Sequence, residues 1–404
     1  MKKLLLLAAL IYSVVAPLTY HPDTKLTLYY ATLNQGKVWD IYSYLANNKD
    51  SAPDFHYPPV NYWLLKAELP IAKLVGGKGL EEWLNAGSNV AFANEKVFVY
   101  NLAVKMPLLI LTILGGWIIY KIMIKNGKSV DLAMKAAAIW LFNPITLYSV
   151  VIMGQNDILA IFPFLVGLLY FYDRPMLAFM LFGIAGSVKS YPLIWAMMLA
   201  FSYPKSGYIK KIMLLLIPIV IYTLPMVPYI KYDYFKQSVI YSGLSIRMFE
   251  SAIDIGFDEK ILVVPVLLVV MLLIGAKKKM NGSLEYLNLN LMTATLLILG
   301  FTHFHPQWFI WIMPFVSMYM ADKKDWWWLT ILLASLLGII ILFDDKYLYW
   351  GLISPLNIGL INLPFGSEML QRVGVDGRLL NNLCHSAIAG IGIYWLSRCA
   401  TNEK

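Results

Sequence analysis

Charge is what this chain has least of. Only 14% of its 404 residues are Asp, Glu, Lys or Arg and 59% are hydrophobic, where soluble domains carry about 25% charged residues. Lipid rather than water therefore solvates most of the chain. Cysteine is nearly absent too. Cys384 and Cys399 fall on one predicted helix, about 22 Å apart at 1.5 Å per residue, which no disulfide spans. Neither sits in a His/Cys cluster, so no metal or redox role is assigned to them. The P-loop, G-x-G-x-x-G, H-E-x-x-H and G-x-S-x-G patterns are all missing. Nucleotide-driven pumping and serine or zinc hydrolysis thus lack their local machinery.

What is present is apolar, aromatic and punctuated by lysine. The 13 Trp and 26 Tyr suit rings parked at membrane–water interfaces. The net charge of +9 is concentrated in short loops between hydrophobic runs. That is a sign of membrane topology and anionic lipid, and no nucleic-acid partner is expected. Met1-Lys2-Lys3 followed by the apolar residues 4–18 reads as an uncleaved first helix with a cytoplasmic N-terminus, Ala16-Pro17 being a poor cleavage site.

A polar first external loop, about residues 21–97, follows. Within it residues 60–75 mix Trp63, Leu69 and Leu74 with Lys66, Glu68 and Lys73, too charged to cross the bilayer. This predicts a helix lying in the interface, started by Pro58-Pro59. Further spans are predicted at residues 98–124, 132–153, 158–172, 176–188, one continuing from there to 204, 212–230, 261–276, one reaching 301, 309–320, 326–343 and 383–396. Lys121, Lys125 and Lys128, then Lys277-Lys278-Lys279, Lys323-Lys324 and Arg398 mark their inner ends. The fold class expected is an all-α polytopic membrane protein of about 10–12 transmembrane helices, integral to the cell membrane, with both termini cytoplasmic.

On this map the polar residues gather on the outer side. His21, His56, His303 and His305 lie at external span ends or in the first loop, and His385 at the external start of the last span. Asp23 reads either as a solvated helix-end carboxylate or as a general base assisted by His21; Asp40 is its strongest rival. Gln155-Asn156-Asp157 reads either as a helix cap or as part of a site, since unpaired polar groups are costly in lipid. Lys105 and Lys189 either snorkel or meet a phosphate at headgroup depth. Pro306 ends the helix carrying His303 and His305, leaving a corner suited to a donor or sugar. With no carboxylates nearby in sequence, that corner is not assigned a metal.

The order of these elements carries a resemblance. Asp23 after the first span, His56-Tyr57-Pro58-Pro59, Gly154-Gln155-Asn156-Asp157, Lys189-Ser190-Tyr191-Pro192 and His305-Pro306-Gln307-Trp308 together resemble the GT-C class of multi-spanning glycosyltransferases, in its polyprenyl-phosphate-mannose-using branch. The resemblance covers residues 1–320. It implies a GT-C-like transmembrane catalytic module over that range, with residues 321–404 forming C-terminal helices and an external loop on the acceptor side. It further implies inverting transfer of a hexose, often mannose, outside the membrane. The donor is a polyprenyl-phosphate-sugar, the acceptor a lipid or glycan, and no cofactor is required. Asp23 would be the base, Lys189 and Lys105 would hold the donor phosphate, and His21, His56, Tyr57, Gln155, Asn156, Asp157, Tyr191, His303, His305 and Gln307 would contact substrate. No Asp-x-Asp pair follows Asp23, which leaves Asp40 open as the base. The rival class is a transporter or flippase of a lipid-linked or polar solute. Such proteins carry ionisable groups at the midplane of matching halves, whereas here the polar groups sit at outer ends and the halves do not match.

Overall fold

The run of leucines behind Lys2-Lys3 forms α1 (Lys2–Val15), which tightens into a 3₁₀ turn at Ala16–Leu18. In this computed structural model, which describes residues 1–33, 40–48, 53–87, 91, 94–204, 207–242, 246–277, 283–323 and 326–401, the chain then bends by 92° into α2 (Pro22–Tyr29). Proline chemistry makes the bend. His21 takes the extended conformation (φ −131°, ψ 135°) that a residue before proline prefers, and Pro22 opens the next helix. Among the described residues, three further α-helices fill the first loop: α3 (Ile41–Asn47), α4 (Pro59–Gly76) and α5 (Leu80–Asn85). They share a small aromatic core that includes Tyr20, Tyr42, Phe55, Tyr62 and Trp83. The helix predicted over 60–75 is α4, with Pro58 as its N-cap.

The longest helix, α6 (Val97–Lys125), is the central one. It packs against α1, α4, α7 (Val130–Phe142) and α8 (Ile158–Tyr170). Its Gly116 lets α7 approach closely, because a Cβ there would lie 2.9 Å from Leu141. Around this axis run α9 (Pro175–Val188), α10 (Pro192–Phe201) and α11 (Tyr208–Thr223). The C-terminal part adds α12 (Val263–Lys277), α13 (Leu284–Gly300), α14 (Met313–Met320), α15 (Trp327–Leu342), α16 (Gly366–Arg372) and α17 (Gly377–Thr401). Of these, α13, α15 and α17 pack side by side. Lys125 pairs with Asp173, Lys128 with Asp322 at 2.8 Å and Lys323 with Glu285 at 2.7 Å.

The protein is a helical one. Val97–Lys125, Val130–Ile152 and Tyr208–Tyr229 are long and apolar enough to cross a membrane, and α1 with its bent continuation would make a fourth span.

Several predicted spans depart from straight helices. The segment 132–153 breaks at Asn143-Pro144, where the Asn143 side chain caps a new turn by accepting from Thr146 N–H at 2.8 Å, and it ends as a π-helical turn, Leu147–Ile152. The span predicted from residue 261 begins only at Val263. Before it lies an antiparallel hairpin, β1 (Ala252–Gly256) and β2 (Glu259–Leu262), the one sheet among the described residues. The span predicted over 309–320 is opened by a 3₁₀ turn at Pro306–Trp311. The last helix starts at Gly377 rather than 383, so His385 lies two turns inside it and not at its start, packed on Phe304 with ring centroids 5.0 Å apart. The inner markers Lys278, Lys279 and Lys324 lie outside the described residues.

Candidate active site

The bend between α1 and α2 presents His21 and Asp23. His21 is buried and caps α2, its Nδ1 accepting from Asp23 N–H at 3.1 Å. A ring nitrogen that accepts carries no proton, so Nε2 is the protonated one. Nε2 is buried with no partner among the described residues. Burial lowers the His21 pKa against the opposing pull of Asp23 and Asp345, and Lys105 lowers it further. A neutral ring follows, and the 3.7 Å approach of Nδ1 to Asp23 Oδ2 is no ion pair. The Asp23 side chain is 51% exposed. Its one side-chain hydrogen bond among the described residues comes from Gln155 Nε2, at a long 3.4 Å.

Gln155 reaches Asp23 because the chain turns sharply at Gly154. That residue has φ +70°, and a Cβ on it would stand 2.8 Å from Thr24 and 2.9 Å from Lys105. Only glycine fits both conditions. Thr24 Oγ1 completes the joint by donating to Met153 O. The next residues are buried. The side-chain cap expected of Asn156 or Asp157 does not form: the first turn of α8 is closed by their backbone carbonyls, which accept from Leu159, Ala160 and Ile161. Asp157 instead turns inward, fully buried, with Lys189 Nζ 2.8 Å from Oδ2 and Trp311 Nε1 donating to Oδ1 at 2.6 Å.

An aromatic wall continues from this pair. Lys189 Nζ lies 5.2 Å from the Tyr57 ring centroid. Tyr191 stacks on Trp311 at 3.9 Å, Trp311 stacks on Trp308 at 5.0 Å, and the Arg247 guanidinium covers Trp308 at 5.6 Å. His56, Tyr57, Lys189, Tyr191, Trp308 and Trp311 line a cavity of about 110 Å³. His56 is held at its rim, Nδ1 being 3.0 Å from Ser238 O. His305 lies between Trp308 (5.7 Å) and Phe343 (5.6 Å), and His303 lies nearly parallel to Phe343 at 5.7 Å. Burial lowers the pKa of both histidines, and the nearby Arg247 lowers it further. Gln307 is buried with its Oε1 unpaired among the described residues. No three His, Cys, Asp or Glu among the described residues come together as a metal-binding group.

Two candidates belong elsewhere. Lys105 is 1% exposed, and its ammonium lies within 3.3 Å of the Ala16, Thr19, Val151 and Ile152 carbonyls and of Thr19 Oγ1. Three N–H protons facing five oxygens leave nothing for the donor phosphate expected of it. Asp40 caps α3, accepting from Ser43 N–H at 3.0 Å and from Tyr232 at 3.3 Å, on the side of the Tyr42–Tyr62–Tyr229 aromatic core. Three residues near the site went unassigned in the sequence. Arg247 and Trp311 are described above. Asp345 acts electrostatically on both His21 and His305. Nothing local marks Arg247 or Asp345, because each reaches the site from a long loop.

Comparison with protein-family models, with curated proteins and with solved structures finds no match.

Proposed function

We propose that this protein is an integral membrane glycosyltransferase of the GT-C type, moving a hexose, mannose in the first place, from a polyprenyl-phosphate-sugar to a lipid or glycan acceptor on the extracytoplasmic face. The observation that carries the reading is the half-exposed Asp23 carboxylate, joined to Gln155, beside a buried Lys189–Asp157 pair and a stacked aromatic wall. A base free to accept a proton and a wall that can face a sugar or prenyl chain are the parts that single displacement needs.

In this reading the acceptor hydroxyl gives its proton to Asp23 as its oxygen bonds to the sugar's anomeric carbon. The bond from that carbon to the phosphate oxygen breaks on the opposite side, the electron pair leaves with polyprenyl phosphate, and configuration inverts. Lys189 is a poor partner for the phosphate, since Asp157 already balances its charge. Arg247 makes no ion pair among the described residues and its Nη1 is buried without a partner. It is the cation assigned to the departing phosphate.

The membrane topology of this reading counts ten to twelve spans. Segments α1, α6, α7 with its π-turn, α8 to α15 and α17 would supply them, α14 with the 3₁₀ turn before it. Lys125, paired with Asp173, lies about 30 Å along α6 from Lys105, and Lys128, paired with Asp322, follows just past the end of that helix. That separation supports opposite membrane faces for the lysine clusters and Asp23.

The test is transfer of radiolabelled mannose from polyprenyl-phosphate-mannose by the full chain in reconstituted membranes. Asp23→Asn, expressed at the normal level, is expected to lose at least about 100-fold in rate. Unchanged transfer in that variant would remove the base assignment, and solute counterflow without any transfer would favour a transporter.

A further inference from the structure

A second and larger cavity, of about 670 Å³, opens beyond the C-terminal end of α15, between α16 and the start of α17. Its size falls within the range of about 300–1,000 Å³ typical of small-molecule sites. The lining mixes apolar surface from Leu342 and Val375 with polar side chains: Asp344, Glu368, Gln371, Asp376, Arg378 and Asn381 all contribute.

The carboxylates there are held by the fold, each through one oxygen. Asp344 Oδ1 accepts from Ser367 at 2.8 Å, Glu368 Oε2 from Phe365 N–H at 3.2 Å, and Asp376 Oδ1 from Arg378 N–H at 2.8 Å. The other oxygen of each has no protein donor among the described residues. Asn381 Oδ1 is buried and likewise unpaired among them. The walls therefore carry oriented acceptors in excess, with the Gln371 amide and the Arg378 guanidinium as donors. Polyhydroxylated ligands match such a surface, because one carboxylate can take hydrogen bonds from two vicinal hydroxyls. Phosphates and uronic acids do not, since three carboxylates face one guanidinium.

One loop links the cavity to the candidate active site. Asp344 lines it, and the next residue, Asp345, is the carboxylate that acts on His21 and His305. Consecutive Cα atoms are about 3.8 Å apart. Backbone bonds tie this loop to the corner that carries Asp23, Tyr20 N–H donating to Leu352 O at 2.8 Å. We propose that this cavity binds the neutral sugar part of the acceptor, as a stretch of two or so hexose units whose end reaches past Asp345 toward Asp23. The proposal rests on the glycosyltransferase reading, but its test does not require turnover.

The probes are methyl α-mannobioside and methyl α-glucuronide, titrated onto the full chain in lipid nanodiscs and followed by saturation-transfer NMR. The double variant Gln371→Leu/Asn381→Leu keeps side-chain bulk and removes both amides. It is expected to fold, because Gln371 is exposed and replacing the unpaired buried oxygen of Asn381 by an apolar group is close to neutral. Arg378→Gln serves as a second variant on the rim. The neutral disaccharide is expected to bind at least ten-fold more tightly than the glucuronide and to lose at least ten-fold in the double variant. Loss of transfer activity with this pattern intact would sink the enzyme reading but not the cavity. Undiminished affinity in both variants, a preference for the glucuronide, or no binding of either probe at 10-fold the concentration that saturates a typical millimolar site would overturn the proposal.

Discussion

Lys105 and Lys189 look alike in the sequence, each a lysine near the outer end of an apolar helix, and the fold uses them in opposite ways. One is enclosed by carbonyl oxygens and the other by a carboxylate. Nothing local distinguishes them, because their partners come from turns as far as 89 residues away in the case of Ala16 and Lys105. For Lys189 the consequence is measurable. Both members of its pair are buried, so Lys189→Met leaves Asp157 charged and alone and is expected to cost about 3–5 kcal/mol. Lys189→Met/Asp157→Leu is expected to recover most of that. A double-mutant cycle by thermal unfolding in detergent checks it, and additive losses would mean that the pair is not coupled. Asp23 was the more legible residue, since its position after the first span marks it as a mouth carboxylate. Its exposure and its bond to Gln155 depend on a contact across 132 residues and could not be read from spacing.

Helices are where the sequence spoke most clearly, and their interruptions are where it did not. The proline pair announced α4, and the long apolar runs announced α6 and α15. By contrast the break at Pro306 converts part of an expected span into a tight turn that carries Gln307, Trp308 and Trp311, and the break at Asn143-Pro144 leads into a wide turn that ends just before Gly154 and Gln155. The β1–β2 hairpin was hidden because its strands expose apolar and charged side chains together. Its turn places Phe257 and Asp258 at φ +54° and +62°, where glycine or asparagine would be the usual signal. The turn at Gly154 is the sharpest of these devices. Gly154→Ala would place a methyl group against Thr24 and Lys105 on a left-handed backbone. It is expected to cost more than about 1 kcal/mol and to lower transfer by displacing Gln155 from Asp23. Wild-type melting together with wild-type turnover in this variant would show that the joint tolerates the shift.

At the scale of the molecule, composition sufficed for the helical class and for helices apolar enough to cross a membrane, while the meeting of Asp23 with Gln155 and of Asp157 with Lys189 and Trp311 came from packing among segments distant in sequence. The orientation can be checked directly. With Cys384 and Cys399 replaced by serine, Ser367→Cys is expected to react with a membrane-impermeant maleimide in intact cells. Asp131→Cys is expected to react only after permeabilisation, and the reverse pattern would invert the topology. The ammonium of Lys105 has one more consequence, for the order in which the chain assembles. A lysine carried into hydrocarbon alone is costly, and the oxygens that solvate this one come from both the end of α1 and the turn that closes at Ile152. In the proposed topology α6 is expected to settle only once the ribosome has delivered the chain through residue 152. In the proposed topology the first three spans would therefore enter the bilayer as a cooperative unit, and a chain truncated between α6 and that turn is expected to leave α6 exchanging between membrane and insertion machinery.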